Sequence, residues 1–485
     1  MVDPKTAVLA FVILYLTRIS TIPEVNALKE QRRTKWVNTQ FDQNPGAVAV
    51  RTGPKAVSFN HPDAVKAIYG HGKGQEEFGK SSWYDAFSTT GESLFFTRSK
   101  KRHAMKRRMV AHGFSAQSLQ LFEPYVDLTI EKFMKRMDEF ARTGEPFDIY
   151  FWFELFTMDL MGELALGNNF GLLEVGTPAR YSKLVELSQR FGNLSGILPF
   201  GKYSKKVLSW VPLPYVQHLW KARVEYLEYA RHALEQRFRN DRAQAEQTGK
   251  QRQDIMQRFI EAVDPDTGRR MDFDELRAET SSLMQVAGAS TGSVTMNWMI
   301  YYLCKNPEIK TRLINELDTE FPQQKDSGKP LPYTQVNTIR LIEHAEIECL
   351  RLHPPIGYAM PRDTPPSGAV ICNYFLPGGV AVGVPAATIG RNAAVYPDPN
   401  SFQPDRWTYA TTEMKTCFLG LGFGSRQCIG RNVANQFVVK MIASLLVRYE
   451  GEMEEPGLVL GTKEFTILKP DREYRVVLKR RVEKP

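Results

Sequence analysis

The sequence predicts a mainly α fold with a small β-rich region. Apolar residues recur at helical spacing through most of residues 117–262, and residues 272–304 have the pattern of one long helix. Short alternating strands follow Pro45, and two further strand patterns, FTIL and YRVVL, lie near the end of the chain. Long helices with strands near both ends indicate a large, predominantly helical domain.

Length and charge narrow the possible classes of protein. The chain has 485 residues, enough for about three average domains, but no linker rich in Pro, Gly or Ser divides it. We therefore predict one domain over residues 23–485. The 63 basic and 54 acidic residues give a net charge of +9, a mild excess that suits an acidic protein partner, an anionic membrane surface or no specific partner. We predict no nucleic-acid partner, because no zinc-ligand spacing or basic-aromatic recognition stretch occurs.

The five cysteines are scattered and lack C-x-x-C pairs. They stand at Cys304, Cys349, Cys372, Cys417 and Cys428. An odd, unpaired set argues for a reducing compartment and against a disulfide framework or a structural zinc site.

The beginning of the chain carries an apolar run, AVLAFVILYLT, at residues 7–17 between Lys5 and Arg18. A bilayer-spanning helix needs about 20 apolar residues, so this run is short for one. A secretory signal peptide is disfavoured because no small-residue cleavage site follows. We expect residues 1–22 to attach the chain to a membrane.

The stretch FLGLGFGSRQCIGRNVA at residues 418–434 sets one cysteine in a glycine-rich loop before a predicted helix. The glycines let the backbone come close to a flat partner. Helical spacing begins at Ile429, so Cys428 stands at a helix N-terminus, where unpaired N–H groups stabilise a thiolate. This setting favours a metal ligand over a buried structural cysteine.

The spacing G-x-R-x-C-x-G, carried by Gly424, Arg426, Cys428 and Gly430, resembles the haem loop of the cytochrome P450 family. The resemblance implies that Cys428 is the axial ligand of haem b, iron protoporphyrin IX, and that Arg426 binds a haem propionate. Gly430 and Leu421 are expected to lie against the haem. The family usually has phenylalanine where this chain has Leu421, so shielding of the sulfur and the redox potential are expected to differ.

The distal helix of the family carries the motif A-G-x-[D/E]-T, which this chain matches in part with Ala287, Gly288, Ala289, Ser290 and Thr291. Gly288 costs about 1 kcal/mol relative to alanine and lets the helix open locally. Thr291 matches the alcohol that helps deliver protons; taken alone, it is equally a plain helix-interior hydroxyl. Ser290 replaces the usual carboxylate, and a serine relays protons only through water or neighbours. We expect a substitute water chain, slower protonation with more peroxide release, or a less typical reaction.

A basic helix is predicted over residues 99–115, with His103 and Arg107 on one face. Without the resemblance this helix is a solvated charged face. The resemblance implies that both side chains reach the haem propionates and that Arg362, in a later strand, does so too. Three further basic residues are expected to point elsewhere, towards an acidic redox partner: Arg102, Lys106 and Arg108.

Glu348 and Arg351 stand at i and i+3 in HAEIECLRLHPP, which alone indicates an ordinary surface ion pair. Together with Arg406 in PDRW they resemble the family's buried E-x-x-R cluster behind the haem. The resemblance gives these three residues a structural role in holding the haem.

The resemblance also gives candidates for the substrate pocket. Residues 208–220 are apolar, aromatic and broken by prolines; they either line the substrate entrance and dip into a membrane or form buried core. The candidate pocket side chains are Trp83, Phe87, Phe95, Met284, Ala287 and Tyr358.

The whole resemblance implies the cytochrome P450 fold, and IYGHGKGQEEFGKSSWYDAF is similar to the pisatin-demethylase and benzoate-hydroxylase type of filamentous fungi. It implies a monooxygenase that hydroxylates a lipophilic small molecule with dioxygen, in fungal secondary metabolism. Electrons would come from NADPH-cytochrome P450 reductase, with cytochrome b5 as a further partner, at the cytosolic side of the endoplasmic reticulum membrane. Ser290 keeps coupling, desaturation or rearrangement open as alternatives, and a non-catalytic haem-binding sensor is the alternative from another class.

Overall fold

The computed structural model describes most of the 485-residue chain. The described residues are 30–71, 78–88, 91–178, 180–198, 203–249, 251–287, 290–322, 328–464 and 466–481.

Helices make up most of these ranges, which confirms the predicted mainly α class. In chain order they are α1 (Arg33–Asp42), α2 (Pro62–Tyr69), α3 (Lys100–Ala111), α4 (Ala116–Thr143), α5 (Ile149–Met161), α6 (Leu172–Val175), α7 (Arg180–Gly196), α8 (Ser204–Trp210), α9 (Pro214–Thr248), α10 (Ile255–Glu261), α11 (Phe273–Ser282), α12 (Thr291–Lys305), α13 (Pro307–Glu320), α14 (Tyr333–Val336), α15 (Arg340–Leu352), α16 (Ala386–Ile389), α17 (Thr412–Cys417) and α18 (Arg431–Arg448).

Short strands form small sheets beside the helices. They are β1 (Ala49–Gly53), β2 (Ala56–Phe59), β3 (Gly79–Lys80), β4 (Phe147–Asp148), β5 (Arg362–Asp363), β6 (Ala369–Ile371), β7 (Tyr374–Leu376), β8 (Ala381–Gly383), β9 (Tyr449–Met453), β10 (Thr462–Glu464), β11 (Leu468–Pro470) and β12 (Arg475–Arg480). The largest sheet has the order β1-β2-β8-β5-β3, in which β2 and β8 are parallel and the other pairs antiparallel. A second sheet has the order β4-β12-β9, and β6-β7 and β10-β11 are hairpins.

The core forms where α4, α5, α12, α15 and α18 pack together. Trp298 on α12, Phe153 on α5 and Ile442 on α18 are fully buried. Because α12 packs on both α5 and α18, the distal helix is fixed against the helix that follows Cys428. This packing sets the spacing of the two walls of the candidate site.

The distal helix is broken, whereas the sequence predicts one continuous helix over residues 272–304. It begins at α11, capped by Asp272 and Glu275 in a reciprocal capping box, and continues through a π turn at Leu283–Ala287 before α12 starts anew. Ser290 takes the cap position of α12 with an extended φ of −162°. Gly288 and Ala289, where the sequence predicts local opening, lie outside the described residues.

Within the described part of the chain, no helix combines the length and apolar character needed to cross a bilayer. The predicted membrane-attachment segment, residues 1–22, lies outside that part.

Candidate active site

The cysteine loop depends on glycine at two positions. Gly422 and Gly424 have φ values of +75° and +72°, a region that side chains with a Cβ rarely adopt. A Cβ at Gly424 would also lie 1.9 Å from the carbonyl oxygen of Tyr69 on α2. The loop therefore packs directly against α2.

Cys428 ends this loop immediately before α18. Its N–H donates to the carbonyl of Leu421 at 2.9 Å, which closes the loop on itself. The side chain is accessible although it lies deep inside the protein, because it faces an internal cavity. Burial raises the pKa of the thiol, opposed by the Gly430 N–H and the positive charge of Arg107. A metal ion bound at the sulfur would favour the thiolate form.

A cavity of about 310 Å³ separates the cysteine loop from α12. Cys428, Leu421 and Gly430 line it on one side, and Thr291 lines it from α12. Most of the remaining lining is apolar, including Leu283, Val286, Ile356, Val433 and Phe437. The cavity is therefore a predominantly apolar chamber with a cysteine sulfur at one wall and an alcohol at the other.

Basic side chains from three separate segments gather at the cavity. His103 and Arg107 come from α3, Arg362 from β5 and Arg426 from the cysteine loop. Burial and the charge of Arg362 lower the pKa of Arg426 to about 10. Burial and the surrounding cations lower the pKa of His103 to about 3, so its imidazole is neutral.

Lys80 on β3 joins this group, and sequence reasoning missed it. The side chain is buried, hydrogen-bonds the Phe95 carbonyl and lies 4.1 Å from the Tyr84 ring centroid. Burial, followed by the charges of Arg362 and Arg426, lowers its pKa well below the usual range. Lys80 lies far from the recognised motifs in a two-residue strand, so no local pattern marks it.

The residues fit a haem with two propionates. The cationic side chains repel one another, and an anionic group between them would relieve that repulsion. Two carboxylates also line the cavity, but Glu279 is paired with Lys106 at 2.9 Å and Glu346 accepts from Asn435 at 2.6 Å. The basic side chains of Lys80, Arg107, Arg362 and Arg426 form what we call the cationic rim of the cavity. The arrangement combines one thiol, an apolar chamber and this rim, which are the features that a haem-thiolate site requires.

The basic helix has a different outward face from the predicted one. Arg102 and Arg108 are exposed and pair with Glu92 and Asp266. Lys106 is buried against Glu279, so its predicted role on the partner-facing surface is wrong. The reason is helical spacing, because Lys106 lies three residues after His103 and shares the inner face.

Glu348, Arg351 and Arg406 come together behind the cysteine loop. Arg351 donates to both Glu348 oxygens at 2.8 and 2.7 Å, and Arg406 donates to Glu348 Oε1 at 2.9 Å. Sequence reasoning missed two further donors, the indole N–H of Trp407 at 2.9 Å and the backbone N–H of Gln403 at 3.0 Å. The carboxylate is thus surrounded by donors and fully sealed from solvent.

The distal wall separates its two hydroxyl residues. Thr291 lines the cavity, whereas Ser290 is buried and its Oγ donates to Glu154 Oε1 on α5 at 3.2 Å. Gly292 permits the close packing of this turn, since a Cβ there would lie 2.5 Å from the Phe437 ring.

Four of the candidate substrate residues lie around a smaller apolar cavity beside the main one. Trp83, Phe87, Phe95 and Tyr358 line it, and Phe95 and Tyr358 border both cavities. The ring centroids of Trp83 and Phe87 are 4.6 Å apart.

The two remaining pocket candidates have different outcomes. Met284 is buried among side chains of α7 and α9 and lines neither of these two cavities, so its pocket role stays a prediction. Its neighbour Leu283, at the start of the π turn, lines the main cavity. The side chain of Ala287 lies outside the described residues.

The segment at residues 208–220 is partly buried and partly exposed. Leu208, Val211 and Leu219 are buried core, whereas Trp210 and Tyr215 are half or more exposed. The exposed aromatic rings leave an apolar outer surface at the α8–α9 connection.

Comparisons with known proteins agree with the predicted family and fold. A family model described as cytochrome P450 matches residues 27–478. A crystal structure of a cytochrome P450 superposes with a TM-score of 0.75 at 18% identity, covering 93% of this chain and 94% of that one.

Fungal enzymes are among the relatives. Benzoate 4-monooxygenase of Aspergillus niger is 30% identical over 445 residues, 87% of this chain and 83% of that protein. A cytochrome P450 monooxygenase of Emericella nidulans is 27% identical over 94% of this chain and 93% of its own length. Trichothecene C-15 hydroxylase of Fusarium sporotrichioides is 26% identical over 84% of this chain and 80% of its own length.

Proposed function

This chain belongs to the cytochrome P450 family and is a haem-dependent monooxygenase, and on that premise we propose that it hydroxylates a lipophilic small molecule in fungal secondary metabolism. The observation that carries the proposal is the single cavity shared by Cys428, Thr291 and the cationic rim. The predominantly apolar lining favours a lipophilic substrate over a charged one.

The cofactor we propose is haem b, and Cys428 Sγ would hold its iron. When bound, the haem supplies the activation of dioxygen, and the protein supplies its position and surroundings. Arg107, Arg362 and Arg426 would hold the propionates through charge-assisted hydrogen bonds, and neutral His103 would donate a further one. Lys80 on β3 lines the same cavity and would donate a hydrogen bond to the same carboxylates.

Each wall of the chamber has a separate task in this proposal. Leu421 and Gly430 flank the sulfur, and Leu421 offers less aromatic cover than the phenylalanine usual in the family. Phe95 and Tyr358, at the join of the two cavities, would set the orientation of the substrate. Thr291 would deliver protons from the distal wall.

The redox partner we propose is NADPH-cytochrome P450 reductase, with cytochrome b5 as an accessory. Catalysis by this family needs electrons from a partner, and exposed basic residues such as Arg102 and Arg108 suit an acidic protein surface. Residues 1–22 would anchor the catalytic domain, residues 23–485, to the cytosolic side of the endoplasmic reticulum. Exposed Trp210 and Tyr215 support contact of that domain with a membrane.

The first experiment is the carbon-monoxide difference spectrum of the reduced protein and of Cys428→Ser. We expect the strongly red-shifted Soret band of thiolate ligation in the parent and its loss in the variant. Cys372→Ser is the matched control, because Cys372 is half-buried in the β6–β7 turn and should leave the band unchanged. A parent without the shifted band would contradict the ligand assignment.

The second experiment measures turnover with the reductase, NADPH and isotopically labelled dioxygen, starting from benzoate and extending to a panel of lipophilic compounds. Hydroxylation puts one labelled oxygen atom into the product. Coupling or desaturation would consume NADPH and give a product without labelled oxygen. Absence of any coupled product across the panel would favour the non-catalytic sensor.

A further inference from the structure

Ser290 stands where the family has a carboxylate, yet a carboxylate from another part of the chain lies beside it. Glu154 on α5 accepts a hydrogen bond from Ser290 Oγ at 3.2 Å, although 136 positions separate the two residues. Ser290 is 4% exposed, so its hydroxyl is held among protein atoms. The next residue, Thr291, lines the main cavity.

The same Glu154 oxygen accepts two other bonds. Tyr150 O–H donates to it at 2.8 Å, and Lys469 Nζ from β11 lies 2.6 Å away. Burial, followed by the charge of Glu154, raises the pKa of Tyr150 well above its usual range, so Tyr150 remains a donor. The carboxylate is therefore fixed in position by three donors from three segments.

This cluster reaches the surface. The side chains of Glu154 and Lys469 are 23% and 20% exposed, in contrast to buried Ser290. One end of the group is thus in water and the other lies one residue from the cavity. An ionisable group at the wet end and hydroxyls at the dry end form the sequence of groups that a proton path requires.

We propose that Glu154 replaces the missing distal carboxylate and passes solvent protons through Ser290 to Thr291. This inference rests on the proposed function. Thr291 gives its hydroxyl proton into the cavity and regains one from Ser290 through a bridging water. Ser290 regains its proton from the Glu154 carboxyl, which takes one from solvent. Each cycle therefore moves one proton inwards and leaves all three residues unchanged.

The stoichiometry of dioxygen reduction reports on this path without an organic substrate. Reductase electrons from NADPH reduce dioxygen either to hydrogen peroxide, with two electrons and two protons, or to two waters, with four of each. Slower proton delivery favours the product that needs fewer protons. We expect Glu154→Gln to raise the ratio of peroxide to water by about 100-fold, the lower end of the usual range for loss of a positioned proton donor.

A rescue variant separates a relay from a structural role. Glu154 acts through Ser290 and is thus a positioning residue. Ser290→Asp in the Glu154→Gln background puts a carboxylate back into the path next to Thr291. We expect the parental peroxide-to-water ratio to return. A structural defect at Glu154 would not be repaired by this second substitution. Glu163→Gln, which removes a carboxylate paired with Arg252 just after α5, should leave the ratio unchanged.

A measurement on the resting protein tests the contact itself. The infrared band of the Glu154 carboxylate, identified by isotope-labelled glutamate and by its absence in Glu154→Gln, should shift in Ser290→Ala. An unshifted band, an unchanged ratio in Glu154→Gln, or failure of the aspartate rescue would overturn the relay. A parent protein without the thiolate Soret band would instead contradict the proposed haem site, so the two failures are distinguishable.

Discussion

Glu348 behind the cysteine loop and Glu154 beside the distal helix each gather several donors around one carboxylate, yet only Glu348 is sealed from solvent. Its side chain has no exposed surface and its donors include two guanidinium groups, Arg351 and Arg406. Glu154 is 23% exposed, and its one cationic donor, Lys469, is 20% exposed. The two carboxylates thus accept similar sets of hydrogen bonds, but one is buried and the other is partly exposed to solvent.

The difference in burial separates stability from proton exchange. Loss of a partner in a sealed cluster leaves a charge that water cannot reach, which costs several kcal/mol. A half-exposed carboxylate can replace a lost partner with water, and it can exchange protons with solvent. We therefore expect the Glu348 cluster to govern haem retention and the Glu154 cluster to govern proton supply.

The largest expected effect is that of Glu348→Gln. The substitution leaves the Arg351 guanidinium buried without its counter-charge, and we expect the free energy of unfolding to fall by about 3–5 kcal/mol, with loss of bound haem. Denaturant titration and haem content measure the two effects. Glu413→Gln, on the exposed side of α17, is the control and should change neither. A fully stable Glu348→Gln protein would contradict the contrast between the two clusters.

The second prediction concerns how the free energy of unfolding depends on pH through one buried carboxyl, that of Glu346. Burial raises the pKa of Glu346 on α15 from 4.5 to about 7. Between pH 4.5 and 7 the folded state therefore binds more protons at this site than the unfolded state. Stability contributed by this group falls as pH rises through that interval, by about 3 kcal/mol in total.

Glu346→Gln removes this titration while keeping an acceptor for Asn435. The difference in unfolding free energy between parent and variant, measured at pH 4.5 and pH 8, should move by about 3 kcal/mol in favour of the variant at the higher pH. Using the difference cancels the titration of every other group common to both proteins. A difference that stays constant with pH would show that the carboxyl is ionised throughout this interval.

The third prediction is Trp407→Phe, which keeps an aromatic ring and removes one donor to Glu348. The Trp407 and Phe418 rings lie 5.4 Å apart, so a phenylalanine retains part of that contact. A hydrogen bond to a charged group contributes about 1.5–3 kcal/mol, and we expect a loss of about 2 kcal/mol in denaturant unfolding. Trp210→Phe at the exposed α8 end is the control. An equal loss in both variants would assign the effect to ring size alone.

The same contrast explains what could be predicted from the sequence. Glu348 and Arg351 are one helical turn apart and Arg406 lies in a recognisable string, so local spacing marks all three. The contact between Ser290 and Glu154 joins residues 136 positions apart, and no local pattern encodes it. The sequence correctly showed that a carboxylate was missing from the distal motif, but its spatial replacement required the packing of α12 on α5.

Errors on single helices have a simpler physical origin. Lys106 was assigned to the outer face although it lies three residues from His103, and residues at that spacing are neighbours on a helix surface. At the π turn, Leu283 lines the main cavity, whereas its neighbour Met284 packs against side chains of α7 and α9. The sequence therefore predicted which helices build the site more reliably than which side of each helix faces it.

The smallest expected effect on stability is that of Glu154→Gln, the same substitution made at the solvent-accessible cluster. The glutamine oxygen still accepts from Ser290 and Tyr150, and the lost pair with Lys469 is partly exposed, so we expect a change below about 1 kcal/mol. Denaturant unfolding of the Glu154→Gln and Glu348→Gln variants therefore compares directly the losses of unfolding free energy at the two sites. A loss near that of Glu348→Gln would mean that Glu154 is a structural anchor, and its proton-relay role would lose the accessibility on which it depends.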